Sequence, residues 1–286
     1  IGAIQDSATE TIFWFVHDSN FSVGATGKLD LIVSFNVYTN ILTYHVISNR
    51  PASFPEGIVH PNGSQFNMNG NSYEFIKPLL QSQNYIAAVK FTSLEELPSE
   101  ALKLDYFREI PALNEGSGNM QLWARKFFGI NINTEESWIK IPSKPKNIIV
   151  CAFSRRYRNI RIKYHFLDKY TSIFIGLKDE YEHFKNVNDL KNLTHAKISN
   201  ALDMAALIKD SRFFIGNQSF AFSIAEGLKV NRALEVCEIC PNVIPSGKGA
   251  HDFLNTNALK NILTSNNLNF YNEKTELNCE FRSYYE

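Results

Sequence analysis

The chain is poor in cysteine: four in 286 residues, Cys151, Cys237, Cys240 and Cys279. That is too few for a disulfide-stapled scaffold, and it makes a reducing, cytoplasmic setting the expectation. Net charge is missing as well, because 29 Lys and Arg balance 29 Asp and Glu. A balanced chain has no global electrostatic reason to bind nucleic acid or an anionic membrane, so nucleic acid is not an expected partner. No apolar run approaches the ~18 residues that mark a candidate membrane span. The stretch that begins at Ile1 carries no signal-peptide pattern. Internal repeats and low-complexity tracts are absent, and so are the G-x-S-x-G, HExxH and P-loop signatures, which leaves those chemistries without a motif.

What is present is an ordinary globular composition, 44% apolar. The length suits two modest α/β domains. The first half reads as strands at residues 11–16, 29–35, 43–47 and 85–91, with a loop over 49–71 and a helix over 72–80 that shows Phe75, Leu79 and Leu80 on one face. A further helix is expected over 120–128. Residues 139–145 hold two prolines just before a strong strand and read as a linker.

The second half is more legible. Short continuous apolar runs at 147–153, 172–176, 213–215 and 233–236 read as buried strands. Between them lie a helix from about Ala201, with Asn200 as its cap and Asp203 three residues on, and a helix over 220–228. Met204, Leu207 and Ile208 form the apolar face of the first. Alternation of this kind predicts a parallel sheet covered on both faces, with ligands bound beyond the carboxyl ends of its strands.

Two constellations sit at such ends. Ser154-Arg-Arg-Tyr-Arg-Asn159 follows the first strand directly, and guanidinium groups match phosphate oxygens. The functional reading is a pyrophosphate clamp built on Ser154, Arg155, Arg158 and Asn159; the bland one is a solvated basic loop. The second is Phe214 to Gly227, where a strand ends at Gly216-Asn217-Gln218-Ser219 and a helix begins. A helix N-terminus offers free N–H groups and a partial positive charge, and a small Gly216 allows close approach. Glu226 further on is a carboxylate suited to ribose or sugar hydroxyls. The bland reading is an ordinary strand-to-helix turn.

Over about residues 146–250 these segments resemble the donor domain of the heptosyltransferase-like, family 9-like group of GT-B glycosyltransferases. Gly216-Asn217-Gln218-Ser219 and Ala225-Glu226-Gly227 match that group's turn and helix end, and the Arg155–Asn159 loop is similar to one in related glycosyltransferases. Gln218 departs from the acid usual there. The resemblance implies two Rossmann-like domains facing across a cleft: 1–145 on the acceptor side and 146–265 for a nucleotide-sugar donor, with 266–286 as a tail packing back on the first domain. It implies a nucleotide-sugar and a glycan or other acceptor as partners and no cofactor. The absence of an Asp-x-Asp signature agrees with a mechanism that needs no metal. An acid from the N-terminal domain would act as base, with Asp30 as candidate and Asp18 or His17 as alternatives. Two other readings stay open: a non-catalytic GT-B-like module of a larger assembly, and an unrelated α/β protein built on one continuous sheet.

Cys237-Glu-Ile-Cys240 is half of a zinc motif or a redox pair, but Cys279 and His251 would have to complete a metal site, so a pair of buried thiols is the expectation. The loop 241–247 with His251 and Asp252 is placed to line the cleft. The other histidines show no ligand spacing.

Overall fold

The computed structural model describes residues 3–6, 11–14, 31–36, 41–49, 68–99, 101–103, 119, 133–155 and 157–266. Among these the strands form three sheets that share no pairing, so the single continuous sheet of the third reading is not what is seen. Strands β1 (Ala3–Asp6) and β2 (Thr11–Trp14) make an antiparallel hairpin. The second sheet holds β3 (Leu31–Asn36), β4 (Ile41–Ile47), β5 (Ala88–Thr92) and β6 (Leu102–Lys103) in the order β5-β4-β3-β6. It is mixed: β3 is antiparallel to both neighbours, while β4 and β5 run parallel. A parallel pair needs a crossover, and α1 (Gly70–Gln81) lies within it.

The third sheet contains β7 (Lys146–Ala152), β8 (Ser172–Phe174), β9 (Thr194–His195), β10 (Ser211–Gly216), β11 (Arg232–Glu235) and β12 (Ala250–Phe253). All its pairings are parallel, in the order β12-β11-β10-β7-β8-β9. Its helices are α2 (Lys178–Val187), α3 (Ala201–Asp210), α4 (Phe220–Leu228) and α5 (Thr256–Ser265), with a short 3-10 helix at His165–Lys169. The chain starts at the centre, moves outward through β8 and β9, returns to the other side of β7, and moves outward again. This is the doubly wound α/β order.

Alternation along β7 explains why its sequence is a continuous apolar run. Ile148, Val150 and Ala152 join one buried layer with Ala205, Ile208 and Leu228. Ile149, Cys151 and Phe153 join the other with Tyr164, Phe184 and Leu259. Both faces are covered, so polar residues have no place between the apolar ones. The first layer continues into the second sheet through Tyr44, Val46, Leu79 and Leu80. Ile139, at the start of the expected linker, is buried, and its N–H and that of Trp138 both donate to the Gly227 carbonyl at 3.1 Å.

The expected strands and helices of the second half are present within a residue or two. Asn200 caps α3 by accepting from Leu202 N and Asp203 N at 2.9 Å each. Helix α1 begins two residues earlier than expected because Asn69, in a stretch read as loop, accepts from Ser72 N. The strand expected from Tyr85 starts only at Ala88. Helices α2 and α5 and strands β9 and β12 were not foreseen. Helix α2 buries only Phe184 fully, with Tyr181 packed partly beside it, and its remaining residues are mostly charged. The expected helix 120–128 and tail 266–286 lie outside the described residues, save Asn266.

Candidate functional site

Strands β7 and β10 are neighbours, but the connection after β7 leads to β8 and the one after β10 leads to β11 on the opposite side. Where connections diverge in this way, a crevice opens beyond the carboxyl ends of the strands. The two loops that meet here are 153–161 and 216–219, the two singled out in the sequence.

They are tied together by Asn217, which has no exposed surface. Its Oδ1 accepts from Ser154 N at 3.0 Å, and its Nδ2 donates to Ser154 O at 3.0 Å. Asn217 N also donates to Ala152 O at 3.3 Å, which continues the β7–β10 ladder by one residue. The side chain is therefore occupied in holding the β7 loop, and so is Ser154. Gly216 is required by the same closeness: a Cβ there would stand 2.7 Å from Ala152 O. Tyr157 takes a left-handed φ of 53°, a conformation that costs a side-chain-bearing residue about 1 kcal/mol or more.

A second anchor comes from β11. Glu235, fully buried at its carboxyl end, accepts from Arg158 Nε at 3.0 Å and from Asn159 N at 2.6 Å through Oε1, and from the Tyr164 hydroxyl through Oε2. The Arg158 guanidinium lies over the Phe153 and Phe184 rings, 4.8 and 5.3 Å from their centroids. Burial first, and then the Glu235 charge, push the Tyr164 phenol well above its ordinary range, so it stays a donor. Asn159 continues outward to Glu238 Oε1 and Leu254 O. Arg155 is exposed and paired with Asp179 in the first turn of α2.

The Arg158 terminal amino groups have no hydrogen-bond partner among the described residues. On the other side, Ser219 caps α4 by accepting from Phe222 N at 3.3 Å. The N–H groups of Phe220 and Ala221 are left without partners among the described residues. Gln218 is 3% exposed. Its Nε2 donates to Asn242 Oδ1 at 2.5 Å, and its Oε1 is buried with no partner among the described residues. The switch point thus offers cationic and backbone donors suited to an anion, and one buried acceptor that calls for an O–H or N–H.

Glu226 does not join this group. Helix α4 runs back against the strand direction and carries it to the amino-terminal edge of the sheet. There it is buried, with Oε2 accepting from Arg232 Nε at 2.5 Å and Oε1 from Lys229 Nζ at 2.6 Å and Ser246 Oγ at 3.0 Å. Burial works to raise its carboxyl, but Arg232 and Lys229 outweigh it and hold the group below its ordinary value. Its oxygens are engaged within the protein, by partners that do not belong to the 216–219 turn. Asp30, Asp18 and His17 lie outside the described residues.

Sequence reasoning missed Glu235 and Asn242. An acid inside a short apolar strand, with arginines three strands away in sequence order, was the available signal for Glu235. Asn242 lay in the loop expected to line the cleft. Cys237 is buried and Cys240 half-exposed. No group of three or more His, Cys, Asp or Glu among the described residues is placed to hold a metal ion. No helix among them is long and apolar enough to cross a membrane.

No protein-family model matches the chain, and no curated protein matches it. Among solved structures, the chain is similar to the crystal structure of a glycosyl transferase family 9 protein from Veillonella parvula DSM 2008, with 13% identity over 67% of this chain and 78% of that one. The TM-score is 0.39. An overlap of this extent assigns neither a family nor an activity to the chain.

Proposed function

We propose that the chain is a glycosyltransferase that moves a sugar from a nucleotide-sugar donor to a glycan or other acceptor without a metal ion. In this reading residues 146–265 hold the donor, residues 1–145 hold the acceptor, and the two face each other as GT-B domains. The observation that carries it is the buried Gln218 Oε1, without a partner among the described residues, in the turn that leads directly into the start of α4. An anionic diphosphate satisfies the N–H groups, and a sugar hydroxyl satisfies the amide oxygen. Arg155 adds charge when its exposed pairing with Asp179, worth little in water, is exchanged for phosphate. Arg158 presents its terminal amino groups while Glu235 holds its Nε. Stabilising the departing diphosphate with arginines and a helix N-terminus supplies the electrostatic part of catalysis. An acid of the first half, Asp30 in this reading, takes the acceptor proton.

The test is thermal stabilisation by UDP, GDP, ADP, CMP and their sugar conjugates, since a ligand that binds the native state raises the midpoint. One nucleotide should shift the midpoint, and its sugar conjugate should shift it further. Gln218→Ala should remove the extra shift, and Arg155→Ala should reduce both. Arg158→Ala is a poor probe because it orphans Glu235. Identical shifts in Gln218→Ala and the parent chain would sink the role of Gln218.

A second reading, a non-catalytic binding module, is favoured by one observation: Arg155 and Arg158 already face carboxylates, Asp179 and Glu235. Nucleotide binding without turnover on any acceptor supports it.

A further inference from the structure

Cys237 and Cys240 follow β11 in a tight turn, in which Cys240 N donates to Cys237 O at 3.3 Å. Such a turn brings its first and last Cα atoms within about 7 Å, and a disulfide spans Cα separations of about 4.4–6.8 Å. Both thiols are free in this structure. The turn is also a clip on the loops at the switch point. Glu238, inside it, accepts from Asn159 Nδ2 at 3.1 Å and Arg161 Nη1 at 3.4 Å, and Asn242, just beyond it, accepts from Gln218 Nε2 at 2.5 Å. A bond across the turn therefore fixes the segment that grips both loops. None of this depends on what the crevice binds.

We propose that Cys237 and Cys240 form a reversible disulfide by exchange with a small disulfide of the glutathione type, and that the bond locks the 237–242 segment. Half-exposed Cys240 loses its proton to solvent, and its thiolate attacks one sulfur of the small disulfide. A mixed disulfide forms at Cys240, and one small thiolate leaves. Buried Cys237, deprotonated in turn, attacks Cys240 Sγ. The intramolecular disulfide forms, and the second small thiolate leaves. Two protein thiols are oxidised to one disulfide, and one small disulfide is reduced to two thiols. Burial first, and then Cys237 beside it, push the Cys240 thiol above its ordinary value, so exchange quickens as pH rises.

The experiment treats the native chain with oxidised glutathione at mildly alkaline pH, alkylates it, and digests it with trypsin. Both cysteines fall in one tryptic peptide, Ala233–Lys248. The expected result is absence of both alkyl groups from that peptide, a mass lower by two hydrogens than the dithiol peptide, and appearance of both alkyl groups after reduction followed by renewed alkylation. Cys237→Ser should trap glutathione on Cys240, and Cys240→Ser should leave Cys237 unmodified. Amide exchange over 238–242 should slow in the oxidised parent chain. Two alkylated cysteines after exposure, a bond from Cys240 to Cys151 or Cys279, or unchanged exchange over 238–242 each overturn the proposal.

Discussion

Glu235 shows what a single side chain can decide. A carboxylate without exposed surface is costly unless it is fully paired, and Arg158, the Asn159 N–H and the Tyr164 hydroxyl together complete its shell. Removing one member of such a buried pair leaves the other charge uncompensated. Glu235→Ala is expected to cost about 3–5 kcal/mol, read from urea unfolding. The double variant with Arg158→Ala should cost clearly less than the sum of the two single changes, because the orphaned charge is gone. Strict additivity would show that the pair is not coupled.

At the scale of elements, the two asparagines at loop junctions differ in kind. Asn200 is an ordinary helix cap, and Asn200→Ala should cost about 1 kcal/mol. Asn217 spends its whole amide on both backbone groups of Ser154, in a place that water does not reach. Asn217→Ala leaves two buried polar groups unsatisfied, at about 1–3 kcal/mol each, so its unfolding midpoint should fall well below that of Asn200→Ala. Equal losses would mean that Asn217 does not anchor the loop. Both residues read from sequence as turn or cap chemistry. The distinction lies in a partner 63 positions away, which local pattern cannot reveal. Helix α2 was hard to read for another reason, a mostly charged run in which Tyr181 and Phe184 alone face the core, while α3 announced itself through its cap and Met204, Leu207 and Ile208.

The whole molecule should lose stability in two stages on acidification. Burial, then Lys90, lowers the His45 imidazole below 6.5, and burial, then Arg232, lowers His251. The unfolded chain therefore takes up protons that the folded chain refuses as pH falls through 6.5, and stability drops. Glu226 is held below 4.5, so the unfolded chain again binds the extra proton below that value. Urea unfolding at about pH 7, 5.5 and 4 should show both declines, with the second weakened in Glu226→Gln. A flat profile across the lower range would contradict the pairing of Glu226 with Arg232 and Lys229. Sequence by itself determined the parallel α/β character of the second half, because a sheet covered on both faces writes continuous apolar strands such as 147–153 between capped helices. It also placed the Arg-rich loop and the Gly216 turn at strand ends, since both follow such runs directly. Only the tertiary structure decided which charges meet. Strand order put β10 against β7 and so joined Asn217 to Ser154, and β11 beside them gave Arg158 its carboxylate. The antiparallel return of α4 carried Glu226 to the far edge of the sheet. These pairings depend on the order and direction of elements in space, which residue spacing along the chain does not encode.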